Sequence, residues 1–212
     1  MRLAFFTLTA ALGVLPAFGQ NFEFGVAGGG SFYQSKTITN SRGNADAGFN
    51  NGFAVGGQVG HNMYSHLGGE FRYMYLQNDA KLSSGGTTVA FGSSAHVLHY
   101  DFLYHFADRS ASIRPYVALG AGIKYFKGTG SEVVAQPLGN IALLTKTNET
   151  KGLVSVGGGV KFRITESVIL RLDVHDYVSP FPSKIITPAA NSASPGGWVN
   201  NIVVSGGVSF AN

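Results

Sequence analysis

The chain of 212 residues contains no cysteine. That absence excludes disulfides, zinc–thiolate sites, thiol catalysis and a lipidated N-terminal cysteine. It is compatible with an exported protein that closes its fold by hydrogen bonding alone. Charge is scarce as well: Asp, Glu, Lys and Arg make up 12% of the residues, against roughly 25% in a soluble domain. So few charges would struggle to cover a water-exposed surface of ordinary size. The 15 basic residues are scattered, the formal net charge is +4, and without a polybasic run no nucleic-acid partner is expected. Beyond the N-terminus no segment approaches the ~18 uninterrupted apolar residues of a transmembrane helix. Glycine is the abundant residue, 30 in all against 7 prolines, and it lacks the three-residue period of collagen.

The N-terminus has the form of a secretory signal. Arg2 supplies the positive charge, Leu3 to Leu15 is apolar but for Thr7, Thr9 and Gly13, and Ala17-Phe18-Gly19 is a small-x-small cleavage site. Residues 1–19 are therefore read as a signal peptide, and residues 20–212 as one domain beginning at Gln20.

The rest of the chain is organised by a period of two. In Leu153–Arg163, Val154, Val156, Gly158, Val160 and Phe162 share one parity, while Ser155, Gly157, Gly159, Lys161 and Arg163 share the other. After Thr165-Glu166-Ser167 the alternation resumes, with Val168, Leu170, Leu172 and Val174 against Arg171, Asp173 and His175. Such a pattern predicts a two-faced β-hairpin, with arms of the length a tilted strand needs to cross a membrane. Six further segments repeat it: Phe22 to Tyr33, Phe53 to Asn62, Leu67 to Gln77, a fourth around Leu98 to Tyr104, a fifth around Tyr116 to Tyr125, and Trp198 to Phe210. Their connections alternate long and short, and the long ones read as loops, including Asn40 to Asn44 and the stretch around Gly85-Gly86. In the longest, residues 127–150, the apolar patches Val133-Val134 and Ile141–Leu144 are expected to form a small hairpin of their own. The predicted fold class is all-β, an eight-stranded antiparallel up-and-down barrel.

The apolar parity could line the core of a soluble ligand-binding barrel or face lipid. The opposite parity is mostly Gly, Ala and Ser, which suits the crowded inner wall of an eight-stranded barrel better than a solvated exterior. The apolar parity carries Tyr and Phe near strand ends, as an interfacial girdle requires. The apolar side chains are therefore expected to face lipid. The inner parity then holds four acids, Glu23, Glu70, Asp101 and Asp173, and four bases, Arg72, Lys124, Lys161 and Arg171. Unpaired, any of them would cost several kcal/mol, so a charge-paired structural plug is expected. Asp176 and His96 fall on the lipid parity near the loop ends of their strands.

The run Arg114-Pro115-Tyr116-Val117-Ala118-Leu119-Gly120-Ala121-Gly122, the strand Gly157–Phe162 and the strand Leu170–Val178 resemble the small outer-membrane β-barrel family, the OmpA/OmpX-like proteins. The resemblance implies a bacterial outer-membrane location, surroundings of outer-membrane lipid and lipopolysaccharide, and a terminal aromatic read by the barrel-assembly machinery. Phe210, with Val208, Val204 and Ile202 at its parity, matches that signal, although Ala211 and Asn212 follow it. Longer relatives carry a peptidoglycan-binding domain after the barrel, and that activity is not expected here.

No cofactor, metal or enzymatic activity is expected. None of the histidines at 61, 66, 96, 99, 105 and 175 has serine two positions later, as a deacylase of this kind would show, and Ser94-Ala95-His96 runs in the reverse order. His96 and His99, three apart, lie on opposite faces of a strand. The expectation is a filled barrel acting structurally or by surface recognition of a ligand through four long loops. The alternatives are a narrow ion or small-solute channel and a soluble periplasmic ligand-binding barrel.

Overall fold

The computed structural model describes residues 22–41, 43–133, 135–193 and 195–211. The signal segment expected at residues 1–19 lies outside them. Eight long strands carry the fold: β1 (Phe22–Tyr33), β2 (Gly52–Asn62), β3 (Leu67–Gln77), β4 (Ser93–His105), β5 (Ile113–Gly128), β6 (Asn148–Arg163), β7 (Val168–Pro180) and β8 (Asn201–Ala211). Each pairs antiparallel with its sequence neighbours, and β1 pairs with β8, so the sheet closes and the barrel has no free edge. Closure matters because in lipid every strand N–H and C=O must find its partner within the protein.

The register keeps the two faces separate. Phe24 lies opposite Phe210, Leu170 opposite Val208 and Val174 opposite Val204, all on the outside. A one-residue slip would turn every such side chain inward. Val26 is 66% exposed and Leu172 60%, whereas their strand neighbours Ala27 and Arg171 are 5% and 1% exposed. Large apolar side chains therefore point outward around the wall, and the reading as a soluble barrel fails. Glycine allows the inner face to hold large polar groups: a Cβ at Gly159 would come within 2.5 Å of Asp173 Oδ1 and 2.9 Å of Tyr116 Oη.

One end carries the short turns, residues 63–66, 106–112 and 164–167, together with both ends of the described chain. The first and last of these turns are closed by Met63 N–H to Leu67 O at 3.0 Å and Ile164 N–H to Val168 O at 2.9 Å.

The other end departs from the expected irregular loops. Lys36–Asn40 and Gly43–Phe49 from the first loop join Ala80–Ser84 and Thr87–Phe91 from the second in a four-stranded sheet. Gly85 and Gly86, with φ of 54° and 82°, form the two-residue turn between the last two, where successive positive φ values favour glycine. The hairpin expected within residues 127–150 does not form as drawn. Ala142–Leu144 pairs with Ile186–Pro188 of the fourth loop, Val133 is exposed, and Val134 lies outside the described residues. The last segment is also broken: Trp198–Val199 pairs with the end of β7, and β8 starts afresh at Asn201. Asp176 anchors that break, accepting from Asn200 Nδ2 at 2.5 Å and from Asn201 N–H at 3.0 Å.

These loop strands bury an apolar core over the barrel mouth. Ile38, Phe49, Leu82, Ile141, Leu144 and Ile186 from the loops pack with Met74, Leu76, Val97, Phe126, Leu153 and Val203 from the barrel wall. The inner parity of the strands therefore changes from polar to apolar toward this end.

Candidate functional site

The lumen is filled in layers, beginning near the end with the short turns. Arg171 on β7 reaches Glu70 on β3 at 2.5 Å, Glu23 on β1 at 3.2 Å and the Tyr116 hydroxyl on β5 at 2.8 Å. Arg72 on β3 bonds Glu70 at 2.7 Å and Asp173 at 3.2 Å. Lys161 on β6 bonds Glu23 at 2.5 Å, and the Tyr116 hydroxyl donates to Asp173. Three acids and three bases from four strands thus form one buried, neutral network, with Tyr116 adding a fifth strand. Six of the eight charges expected in the lumen meet here. Sequence parity could place them inside, but only barrel closure brings Arg171 to Glu70, a hundred residues away.

The next layer takes Asp101 out of that network. Its carboxylate meets His99 Nδ1 at 2.9 Å, while His99 Nε2 faces the Tyr177 hydroxyl at 3.2 Å. Ser155 Oγ lies 3.2 Å from His175 Nδ1 and 3.4 Å from Asp101 Oδ2. The residue types are those of a catalytic triad, but the geometry is not. Asp101 and Ser155 both address Nδ1 of His175, whereas a triad sets nucleophile and carboxylate on different ring nitrogens. Ser155 is also wholly buried, so this arrangement holds strands together and presents no nucleophile. The inward parity of His99, Asp101, Ser155 and His175 was the sequence signal for this layer.

Higher still, Lys124 corrects an expectation. It has no carboxylate within ion-pair distance among the described residues. Its ammonium donates instead to Asn201 Oδ1 at 2.6 Å and sits 4.5 Å from the Tyr33 ring and 5.1 Å from the Phe126 ring. Asn201 in turn donates to Ser31 Oγ at 2.9 Å, tying β5, β8 and β1 together directly beneath the apolar core.

On the outer surface, Phe22, Phe24, Phe102, Tyr104 and Phe210 are exposed toward the short-turn end. Toward the other end, Tyr73 bonds His96 at 2.7 Å, which gives the lipid-parity histidine a polar partner. This is the two-girdle arrangement of a wall that spans a bilayer. A family model described as outer membrane protein beta-barrel domain matches residues 4–210.

The chain belongs to that outer-membrane β-barrel family. It is accordingly a bacterial outer-membrane protein, with the short turns toward the periplasm and the loop sheets outside. Among solved structures it is similar to neisserial surface protein A, with a TM-score of 0.56 and 14% identity over 89% of this chain and 96% of that one. It is also similar to the outer-membrane protein AlkL, determined in DMPC bilayers, with a TM-score of 0.50 and 15% identity over 94% of each chain. At such identities the likeness is one of fold. Comparison with curated protein sequences gives no match.

One group of residues went unread in the sequence. Arg109, Arg114 and Arg163 gather beside the periplasmic turns, and Arg114 bonds Asn62 Oδ1 at 2.9 Å and the Ser65 carbonyl at 2.8 Å. Each lies within or beside a short turn, and that was the available signal.

Proposed function

We propose that this protein is a closed, non-enzymatic barrel whose working surface is the pair of extracellular loop sheets. The barrel would serve as a rigid pedestal set in outer-membrane lipid and lipopolysaccharide. The observation that carries this reading is the apolar core joining loops to barrel, with Phe49, Leu82, Leu144 and Ile186 packed on Met74, Phe126 and Val203. Loops that served only as links would not need an interior. A core of this kind holds their outer faces in one shape, as recognition of a surface ligand requires. Beneath it the neutral charge network fills the lumen, which favours a structural role for Glu23, Glu70, Arg72, Lys161, Arg171 and Asp173 over a conducting one.

Phe210, exposed on the outer wall opposite Phe24, is proposed as the aromatic that the barrel-assembly machinery reads. The test of the main proposal is a loop-trimmed variant in which residues 36–49 and 80–91 are replaced by short Gly-Ser linkers. Cells displaying it are compared with wild type for binding to a panel of host-cell and matrix surfaces. The trimmed barrel should insert and show heat-dependent gel mobility while losing surface binding. Equal binding by both would place the function elsewhere on the molecule.

A further inference from the structure

The periplasmic mouth holds a cavity of about 830 Å³ that no part of the proposed recognition function uses. Among the described residues its wall includes Arg109, Arg114, Lys161 and Arg163 against two acids, Glu23 and Glu166. One of those acids is already committed, since Glu23 bonds both Lys161 and Arg171. Among the described residues, Arg114 and Arg163 are held by neutral acceptors. Arg114 donates to the Ala107 carbonyl at 3.2 Å, to Asn62 Oδ1 and to the Ser65 carbonyl. Arg109 donates to the Asn62 carbonyl at 2.8 Å, and Arg163 donates to the Arg109 carbonyl. The bonds of Arg114 and Arg163 fix where those two charges sit without neutralising them. Neither Arg114 nor Arg163 has a carboxylate within ion-pair distance among the described residues. Of the five N–H donors of a guanidinium, these bonds occupy three on Arg114 and one on Arg163.

Cations crowded into one concavity repel each other and raise the local potential for an anion. Planar forks with free donors match the oxygens of a phosphate best. The Ser110 and Ser167 hydroxyls on the same wall add donors for its remaining oxygens.

We propose that this mouth is a binding site for a phosphate-class oxyanion, with Arg114 and Arg163 as its principal ligands. The mouth opens at the level of the inner-leaflet headgroups, so the phosphate can belong to a phospholipid headgroup or to a free periplasmic phosphate. The site lies at the opposite end from the loop sheets, and its success or failure is independent of theirs.

The test uses the full-length protein refolded in a neutral maltoside detergent and, in parallel, in nanodiscs of phosphatidylcholine with or without phosphatidylglycerol. Amide NMR shifts of the turns at 106–112 and 164–167 are followed on adding sodium phosphate, with sodium chloride at equal ionic strength as control. Saturable shifts with phosphate in detergent would support a site open to free phosphate. Shifts only in phosphatidylglycerol nanodiscs would support the headgroup. In either case Arg163→Gln, an exposed position that should leave folding intact, is expected to weaken binding at least tenfold, and Arg114→Gln likewise if it folds. The proposal is overturned if chloride gives the same shifts, if neither phosphate source gives any, or if Arg163→Gln leaves the binding curve unchanged.

Discussion

Arg171 and Lys124 are both fully buried cations of the lumen, yet their surroundings predict different consequences of losing them. Arg171 lies among Glu23, Glu70, Asp173 and Tyr116. Replacing it with methionine leaves three buried acids facing two buried bases. Breaking a buried pair by removing one partner costs about 3–5 kcal/mol, and Arg171→Met should cost about that much. Lys124 has only Asn201 and two aromatic rings. Lys124→Met gives up one hydrogen bond and removes a charge that no acid compensates, so its cost should stay near 1 kcal/mol. Urea unfolding from lipid vesicles, followed by the fluorescence of Trp198, the single tryptophan, measures both. Equal losses would mean that the charge network is not what distinguishes the two sites.

Strands and loops differ in how far their partners can be read from the chain. The barrel strands were legible because each needs two faces. Val168, Leu170, Leu172 and Val174 against Arg171, Asp173 and His175 state the two environments directly, and the short turns state which strands are neighbours. Leu172→Arg, at an outward position near the middle of β7, should accordingly destabilise the inserted fold by ~2–4 kcal/mol. Arginine at Thr165, in an exposed turn, should leave it unchanged. Vesicle unfolding midpoints compare the two.

The loop sheets were not legible for a physical reason. Their strands are three to seven residues long, too short for the alternation to rise above the surrounding polar residues. They also pair between loops: Ala47 meets Leu82, and Leu143 meets Thr187. Nothing local in either loop specifies the other. The paired residues of an antiparallel ladder lie ~4.5–5.5 Å apart at Cα, within reach of a disulfide, and the chain has no cysteine to interfere. The double variant Leu143→Cys/Thr187→Cys should therefore cross-link on mild oxidation, seen as a mobility shift that reductant reverses. Leu143→Cys paired with Thr88→Cys in the other loop sheet should not cross-link.

At the scale of the molecule, one wall separates two kinds of interior. Its outside is apolar from girdle to girdle. Its inside runs from a cationic periplasmic mouth, through a neutral network of six charges and a histidine–aspartate layer, to Lys124 and then to an apolar core shared with the loops. Charge alone would allow an ion path, since a conducting pore also needs polar walls. The pairing distances and the apolar seal argue for closure, because an ion would have to displace several buried salt bridges and then enter a core without polar partners. The most direct test of that claim is planar-bilayer conductance of the purified, refolded protein. A closed barrel predicts a silent baseline for wild type, and for Lys124→Met equally, since the apolar core above that residue stays in place. Reproducible ion-selective steps in wild type, altered in size by substitution at Lys124 or Arg171, would show the lumen to be an open path and contradict the account.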